Sequence, residues 1–413
     1  MEDVWSQDVA DAMVLAADYA RWGILKCFIE HSGCLNGQAS SYAMNVAAAN
    51  GQLDVVNCCI EYAAVHVRSE AAADAFEVAA RYEHWDIVRN LINHGIDVTS
   101  HTAAKTFKHA ARHGQCEIVK SFLDRADLPH YLPKAVAGAM LLAAKYEHWD
   151  VVRCLIEGFK WINDQDVWDT PEALREAARQ GQLGVVKCFI QHGVDVESWV
   201  AASALWEAAA HGQGEIVEWF FEHDVDVNSE GAKNALYRAA RCGQGDVVKC
   251  FFKYGVDAKS EAAKDALMVA AGSGQAEIVK CFIEHGVDVK SQAVANALKL
   301  AADNELWGVV KCFIDHGVDV KLEAAIDALI VAASHGRDDI VRCFIEHGVD
   351  AKSEATANAL EALAIISSWG CLQKASGEDS SEKIRSRNCC KPLPKECPAE
   401  AVLRKRSRQD FDA

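Results

Sequence analysis

An all-α solenoid of stacked helical hairpins is predicted by three observations. A unit of about 31 residues recurs along the chain, each copy carries two apolar stripes at helical spacing, and each stripe stops near a glycine. In the copy at residues 260–289, Leu267, Ala270 and Ala271 form the first stripe; Ile278, Val279, Phe282 and Ile283 form the second, after a break at 272–274. Ser260 stands at the N-cap position with Glu261 in the first turn, so an oxygen acceptor and a negative charge meet the unpaired amides of a helix start. Gly286, after His285, can take the left-handed conformation that stops the second helix. Neither helix is long enough, or apolar on enough sides, to stand alone, so each hairpin must bury its face on the next.

Taken in order, the copies are marked by the first alanine of an Ala-Ala pair: Ala16, Ala47, Ala79, Ala110, Ala143, Ala177, Ala208, Ala239, Ala270, Ala301 and Ala332, with a degenerate last copy at Leu363. The steps are 31 residues apart from 32, 33 and 34 in the first half. Residues 1–370 therefore read as one array of about twelve units, which ordinary helix spacing would extend on the order of 110 Å. The first unit, from about Ser6, reads as an N-terminal cap whose Asp3, Asp8 and Asp11 suit an outer face without a neighbour. The period breaks at 127–134 and at 157–171, where extra residues bring in Trp161 and Trp168; the breaks read either as functional loops or as kinks. Most copies carry Gly-Gln between their helices, as at Gly51-Gln52. Glu83-His84-Trp85 and Glu147-His148-Trp149 instead lose the glycine and gain a tryptophan, and Ala20 with Trp22 and Glu305 with Trp307 follow the same exchange. Those tryptophans read as apolar covers for the altered turn or as partner anchors. From Cys371 the apolar period stops, and Gly, Ser, paired charges and three prolines predict a disordered basic tail over 371–413. The basic run around Arg404 and Arg408 is a candidate nuclear import signal.

The run GQAEIVKCFIEHGVDV resembles the second half of an ankyrin repeat, and DALMVAAGSG before it is similar to the first half, keeping Leu267, Ala270, Ala271 and Gly274. The same signature runs over 51–56, 181–186, 212–217 and 243–248, so the resemblance covers about nine tenths of the chain. Two departures stand out. The Thr-Pro that opens the family's first helix is replaced by pairs such as Asp265-Ala266, Asn296-Ala297 or Asp327-Ala328, surviving only at Thr170-Pro171, and the unit is about two residues short. Together they imply a lengthened first helix and a shortened β-turn finger, so that helix faces carry more of any binding on the concave side.

Half the residues are hydrophobic and 25% are charged, which fits a continuous core. The formal charge is -18; the tail carries +3, leaving -21 on the repeats, a field that repels nucleic acid. The acidic start lacks the pattern of a signal peptide, and no stretch is long and apolar enough for a membrane span, so the protein reads as cytoplasmic or nuclear. Cys27, Cys58, Cys154, Cys188, Cys250, Cys281, Cys312 and Cys343 recur at one second-helix position, about a helix spacing apart, too far for disulfide or metal geometry. They read as small buried apolar residues. His94, His192, His285, His316 and His347 each precede a helix-ending glycine and read as partners of the last carbonyls. No phosphate loop, metal-ligand motif or nucleophile motif is present, so neither catalysis nor a cofactor is expected.

One column points to function. The residues that close the central first helices are Arg81-Tyr82, Arg112-His113, Lys145-Tyr146, Arg179-Gln180 and Arg241-Cys242, with Trp206 and Tyr237 about a turn earlier, and stacking would gather them into a basic, partly aromatic stripe on an acidic body. The stripe reads either as helix C-termini with dipole-favoured cations or as a site for an acidic, extended peptide. The function expected is a monomeric protein-binding scaffold acting through its concave face. The alternative is an adaptor in a ubiquitin-ligase or signalling complex with the tail as effector.

Overall fold

The computed structural model describes residues 2–32, 37–62, 65–124, 132–158 and 170–349, with 357 and 361, and among them every regular element is a helix. The degenerate twelfth unit, the tail, Trp161 and Trp168 lie outside the described residues. Contacts divide the chain into two compact units, residues 1–319 and 320–413.

The first unit holds ten helix pairs. They are α1 (Glu2–Asp18) with α2 (Trp22–Ser32), α3 (Gly37–Ala49) with α4 (Leu53–Glu61), α5 (Glu70–Arg81) with α6 (Trp85–Asn93), α7 (His101–Arg112) with α8 (Cys116–Leu123), and α9 (Leu132–Lys145) with α10 (Trp149–Gly158). Then follow α11 (Thr170–Arg179) with α12 (Leu183–Gln191), α13 (Trp199–Ala210) with α14 (Gly214–Glu222), α15 (Glu230–Cys242) with α16 (Gly245–Lys253), α17 (Glu261–Gly272) with α18 (Ala276–Glu284), and α19 (Gln292–Asp303) with α20 (Trp307–Asp315). The second unit holds α21 (Glu323–Ser334) and α22 (Asp338–Glu346). Within the first unit, first helices pack on first helices and second on second, making two layers.

The layers share a seam that the repeat pattern dictates. Ala-Ala pairs such as Ala239 and Ala240 are fully buried, as are the valine pairs of the second helices, such as Val247 and Val248. Each of α12, α14, α16, α18 and α20 adds one fully buried phenylalanine: Phe189, Phe220, Phe251, Phe282 and Phe313. Alanine lets neighbouring backbones approach, and each buried phenylalanine contributes about 1.5–3 kcal/mol relative to an exposed one.

Both helices of a pair stop by the same device. In α15 the Gly243 φ is 78°, and the Gln244 amide reaches back to the Ala239 carbonyl at 2.9 Å; in α18 the Gly286 φ is 95°, and Val287 reaches the Phe282 carbonyl at 3.2 Å. This six-residue closure satisfies carbonyls that a helix end leaves open. The next helix starts at once. Asp257 Oδ1 accepts the Lys259 amide at 2.8 Å, its carbonyl accepts the Ser260 amide at 2.9 Å, and Ser260 Oγ caps the Ala263 amide at 3.2 Å. The same Asp-to-Ser turn recurs at Asp195, Asp226 and Asp288, so the β-turn finger is reduced to a tight turn between helices.

Four turns within pairs keep the left-handed residue without glycine: Ala20, Glu83, Glu147 and Glu305, with φ of 52–64°. Each costs about 1–3 kcal/mol that the surrounding fold must offset. Where glycine is present, the next pair uses its bare Cα. His84 seats over Gly51 and its Nε2 donates to the Ala49 carbonyl, 3.0 Å away. Gln213 seats over Gly181 with its amide on the Arg179 carbonyl at 3.0 Å, and Gln244 over Gly212 on the Ala210 carbonyl at 3.1 Å. Where the turn residue has a Cβ, as at Ala20 and Glu83, Gln52 and Gln115 of the following pair bond their own Asn50 and His113 carbonyls instead. Trp85 packs against the His113 ring of the next pair, 5.7 Å between centroids.

Two glycines separate these costs. Gly286 needs only its left-handed backbone, with open space around a Cβ, whereas a Cβ on Gly212 would stand 2.5 Å from Gln244 Oε1. Gly286→Ala should therefore cost about 1 kcal/mol and Gly212→Ala about 2–4 kcal/mol, read by urea unfolding; equal costs would show that the seat carries no energy.

Candidate functional site

The first-helix C-termini place the predicted stripe on the surface, and the capping geometry explains why: the residue after the helix closes the turn and points outward. Tyr82 and Tyr146 are 59% and 47% exposed, large values for tyrosines that belong to no core. Arg112 lies over the Tyr146 ring of the next pair, 4.8 Å from its centroid, so α7 and α9 join their predicted residues across the pair boundary. Lys145 and Arg241 are exposed. Among the described residues no carboxylate pairs with Arg112, Lys145 or Arg241.

The rest of the stripe is tied to carboxylates that the sequence reading did not include. Arg81 bonds Glu77 at 2.7 Å, and Lys105 of the next first helix bonds the same carboxylate at 3.1 Å. Arg179 bonds Glu176, which also accepts from Gln180 at 3.2 Å. Arg175 bridges to Glu207 at 3.0 Å, and Glu207 lies 3.6 Å from His211. Trp206 is half-buried beneath the Arg238 guanidinium, 4.4 Å from the ring centroid, and Tyr237 beside it is half-buried. The surface is thus an alternating ladder of charge with unpaired cations and exposed tyrosines concentrated at α5, α7 and α9, and a further cation at α15. The Glu77–Arg81 pair was readable as an i,i+4 spacing. The pairs between helices needed the stacking register.

Burial alone would raise the Glu77 carboxyl, but the hydrogen bonds and charges of Lys105 and Arg81 outweigh it and hold the group below the usual carboxylate range. The Arg179 hydrogen bond, against partial burial and aided by Gln180, does the same for Glu176.

The recurrent cysteines and histidines of the second helices form a ladder of local contacts. His192, His285, His316 and His347 each bring Nδ1 to the carbonyl of the cysteine one turn back, at 2.7–2.9 Å, with that cysteine's Sγ at 3.7–3.8 Å. A ring nitrogen facing a carbonyl is a donor, so these imidazoles cap helix ends, as their position before glycine predicts. Cys58, Cys188, Cys250, Cys281 and Cys343 are buried, Cys154 and Cys312 are half-buried, and Cys27 is exposed. No helix among the described residues is long and apolar enough to cross a membrane.

Residues 107–198, 174–262, 205–293 and 236–324 match the family model described as ankyrin repeats in three copies, and together these matches span more than half of the chain. Among solved structures, the human ASB11 ankyrin repeat domain is similar at 21% identity and a TM-score of 0.39, over 46% of this chain and 96% of that one. No match was found among the curated proteins.

The two depressed carboxyls set an acid limit. Their folded-state values lie below the unfolded glutamate value of about 4.3, so the stability they confer is fully present above that pH and is lost as pH falls through the folded values. Glu77→Gln with Glu176→Gln should lower stability at neutral pH and flatten the loss below about pH 4, measured by urea unfolding at stepped pH. An unchanged acid limb would assign it to other carboxylates.

Proposed function

The chain belongs to the ankyrin-repeat family, whose repeats serve as protein-interaction modules, and on that premise we propose that it is a non-enzymatic scaffold. It takes an acidic, extended segment of another protein along the concave side, on the ends of its first helices. The Arg112–Tyr146 contact carries this reading: two neighbouring pairs present one cation-aromatic platform, flanked by the unpaired Lys145 and by Tyr82, on a chain whose formal charge is -18. A cation held on a ring face keeps its donors for a carboxylate, and exposed tyrosines supply rigid apolar area. Tyr82 and Tyr146 stand two pairs apart, roughly 20 Å at ordinary helix spacing, which an extended peptide crosses in about six residues. Arg81 and Arg179, already bonded to Glu77 and Glu176, position the surface; Trp206, Tyr237 and Arg241 extend it. A preformed surface lowers the ordering cost of binding. The adaptor alternative turns on residues 371–413, outside the described residues.

Peptides selected from a random library against the full chain should be acidic and should bind more weakly as salt rises. The combined variant Tyr82→Ala, Lys145→Glu, Tyr146→Ala should weaken the best of them at least ~10-fold at unchanged circular dichroism. Undiminished binding would remove the proposal.

A further inference from the structure

The second-helix layer holds two thiols that the recognition surface does not use. Between α8 and α10 lies an open cavity of about 560 Å3, lined by Cys116, Lys120, Asp150, Arg153 and Cys154 among others. The repeat itself explains why two cysteines share it. In a regular copy, the recurrent cysteine lies against the first residue of the preceding second helix: Cys312 of α20 approaches the carbonyl of Ala276, which opens α18, at 3.6 Å. Cys154 holds the Cys312 position in α10, and the residue that opens α8 is Cys116. In the other pairs of the first unit from α4 onward, leucine, tryptophan, glycine or alanine opens the second helix, so this register sets thiol against thiol only here.

Direct contacts agree. Cys116 Sγ lies 4.0 Å from the carbonyl of Asp150, one helical turn before Cys154. Burial first, and then the Cys116 thiol beside it, push Cys154 up to about 12. Cys116 is half-buried at the cavity, and Lys120, one turn further along α8, bonds Glu117 at 3.2 Å and stands near both sulfurs. These are not equivalent positions in neighbouring pairs, so the helix-spacing argument that separates the recurrent cysteines from one another does not apply to them.

We propose that Cys116 and Cys154 form a redox-modification site that closes to a disulfide under hydroperoxide and reopens with a dithiol reductant. The Cys116 sulfur attacks one peroxide oxygen; the O–O bond breaks, the departing oxygen leaves as water with the proton that the thiol gave up, and a sulfenic acid remains. The Cys154 sulfur then displaces the hydroxyl as a second water while its proton goes to that leaving group. In sum, two thiols and one hydrogen peroxide give one disulfide and two waters, with both sulfurs oxidised and the peroxide reduced. Closure ties α8 to α10 across the cavity, in the same two pairs that carry Arg112 and Tyr146. The inference stands on the thiol geometry and not on the recognition reading.

Full-length protein is treated with hydrogen peroxide, its remaining thiols are alkylated, and it is digested with trypsin without reduction. Peptides 113–120 and 154–160 should appear joined, two hydrogens below the sum of their masses, and should separate on reduction. Cys116→Ser and Cys154→Ser should each abolish this species, and Cys281→Ser should leave it. Recovery of both peptides alkylated after oxidation, or joined only to other cysteines, overturns the proposal.

Discussion

The left-handed residue between the two helices of each pair governs the rest of the structure. It reverses the chain within a few residues, so the two apolar stripes face the same way and the Ala-Ala pair meets the valines and phenylalanine of its partner helix. Where that residue is glycine, its bare Cα also receives a side chain of the following pair, and at Gly51, Gly181 and Gly212 the polar tip of that side chain meets a carbonyl at the end of the preceding first helix. One backbone conformation thus closes the hairpin, satisfies a helix end and fixes the register of the next pair. The shortened unit follows from the same economy: an aspartate-to-serine turn ends one pair and caps the next without a strand.

That register decides the electrostatics. Helix ends stacked at regular spacing place Arg112 on Tyr146 and Lys105 beside Glu77, contacts that no single copy contains. The outcome is not a uniform basic stripe. Carboxylates at Glu77, Glu176 and Glu207 neutralise several of its cations, which leaves the aromatic, unpaired segment at α7 and α9 as the distinctive part of an otherwise acidic chain.

The helical pairs were legible because period and capping residues are local. Ser260, Gly286 and the Ala-Ala marks each carry a mechanical meaning within a few residues, and the structure puts helix starts and stops where they predict. The histidines before glycine were legible for the same reason. Other features depend on neighbours. The Gly-Gln pair is visible in the sequence, but the glutamine's role as a bridge to the preceding pair is not. Glu176 lies three residues before Arg179, outside the two-residue column that closes each first helix, so its pairing belongs to the helix face rather than to that column. Cys116 was hidden differently: it stands outside the recurrent cysteine position, and only the register between stacked second helices, which sets the first residue of one against the sixth of the next, brings it to Cys154.

If pairs are interchangeable modules joined through this turn, removing one whole period should leave the joints intact. Deletion of residues 245–275 joins Gln244 directly to Ala276, putting Gln244 where Gln275 stood. The account predicts unchanged helicity per residue by circular dichroism and cooperative urea unfolding with a smaller m-value, in proportion to the surface removed. Collapse of the helical signal, or loss of a cooperative transition, would contradict it.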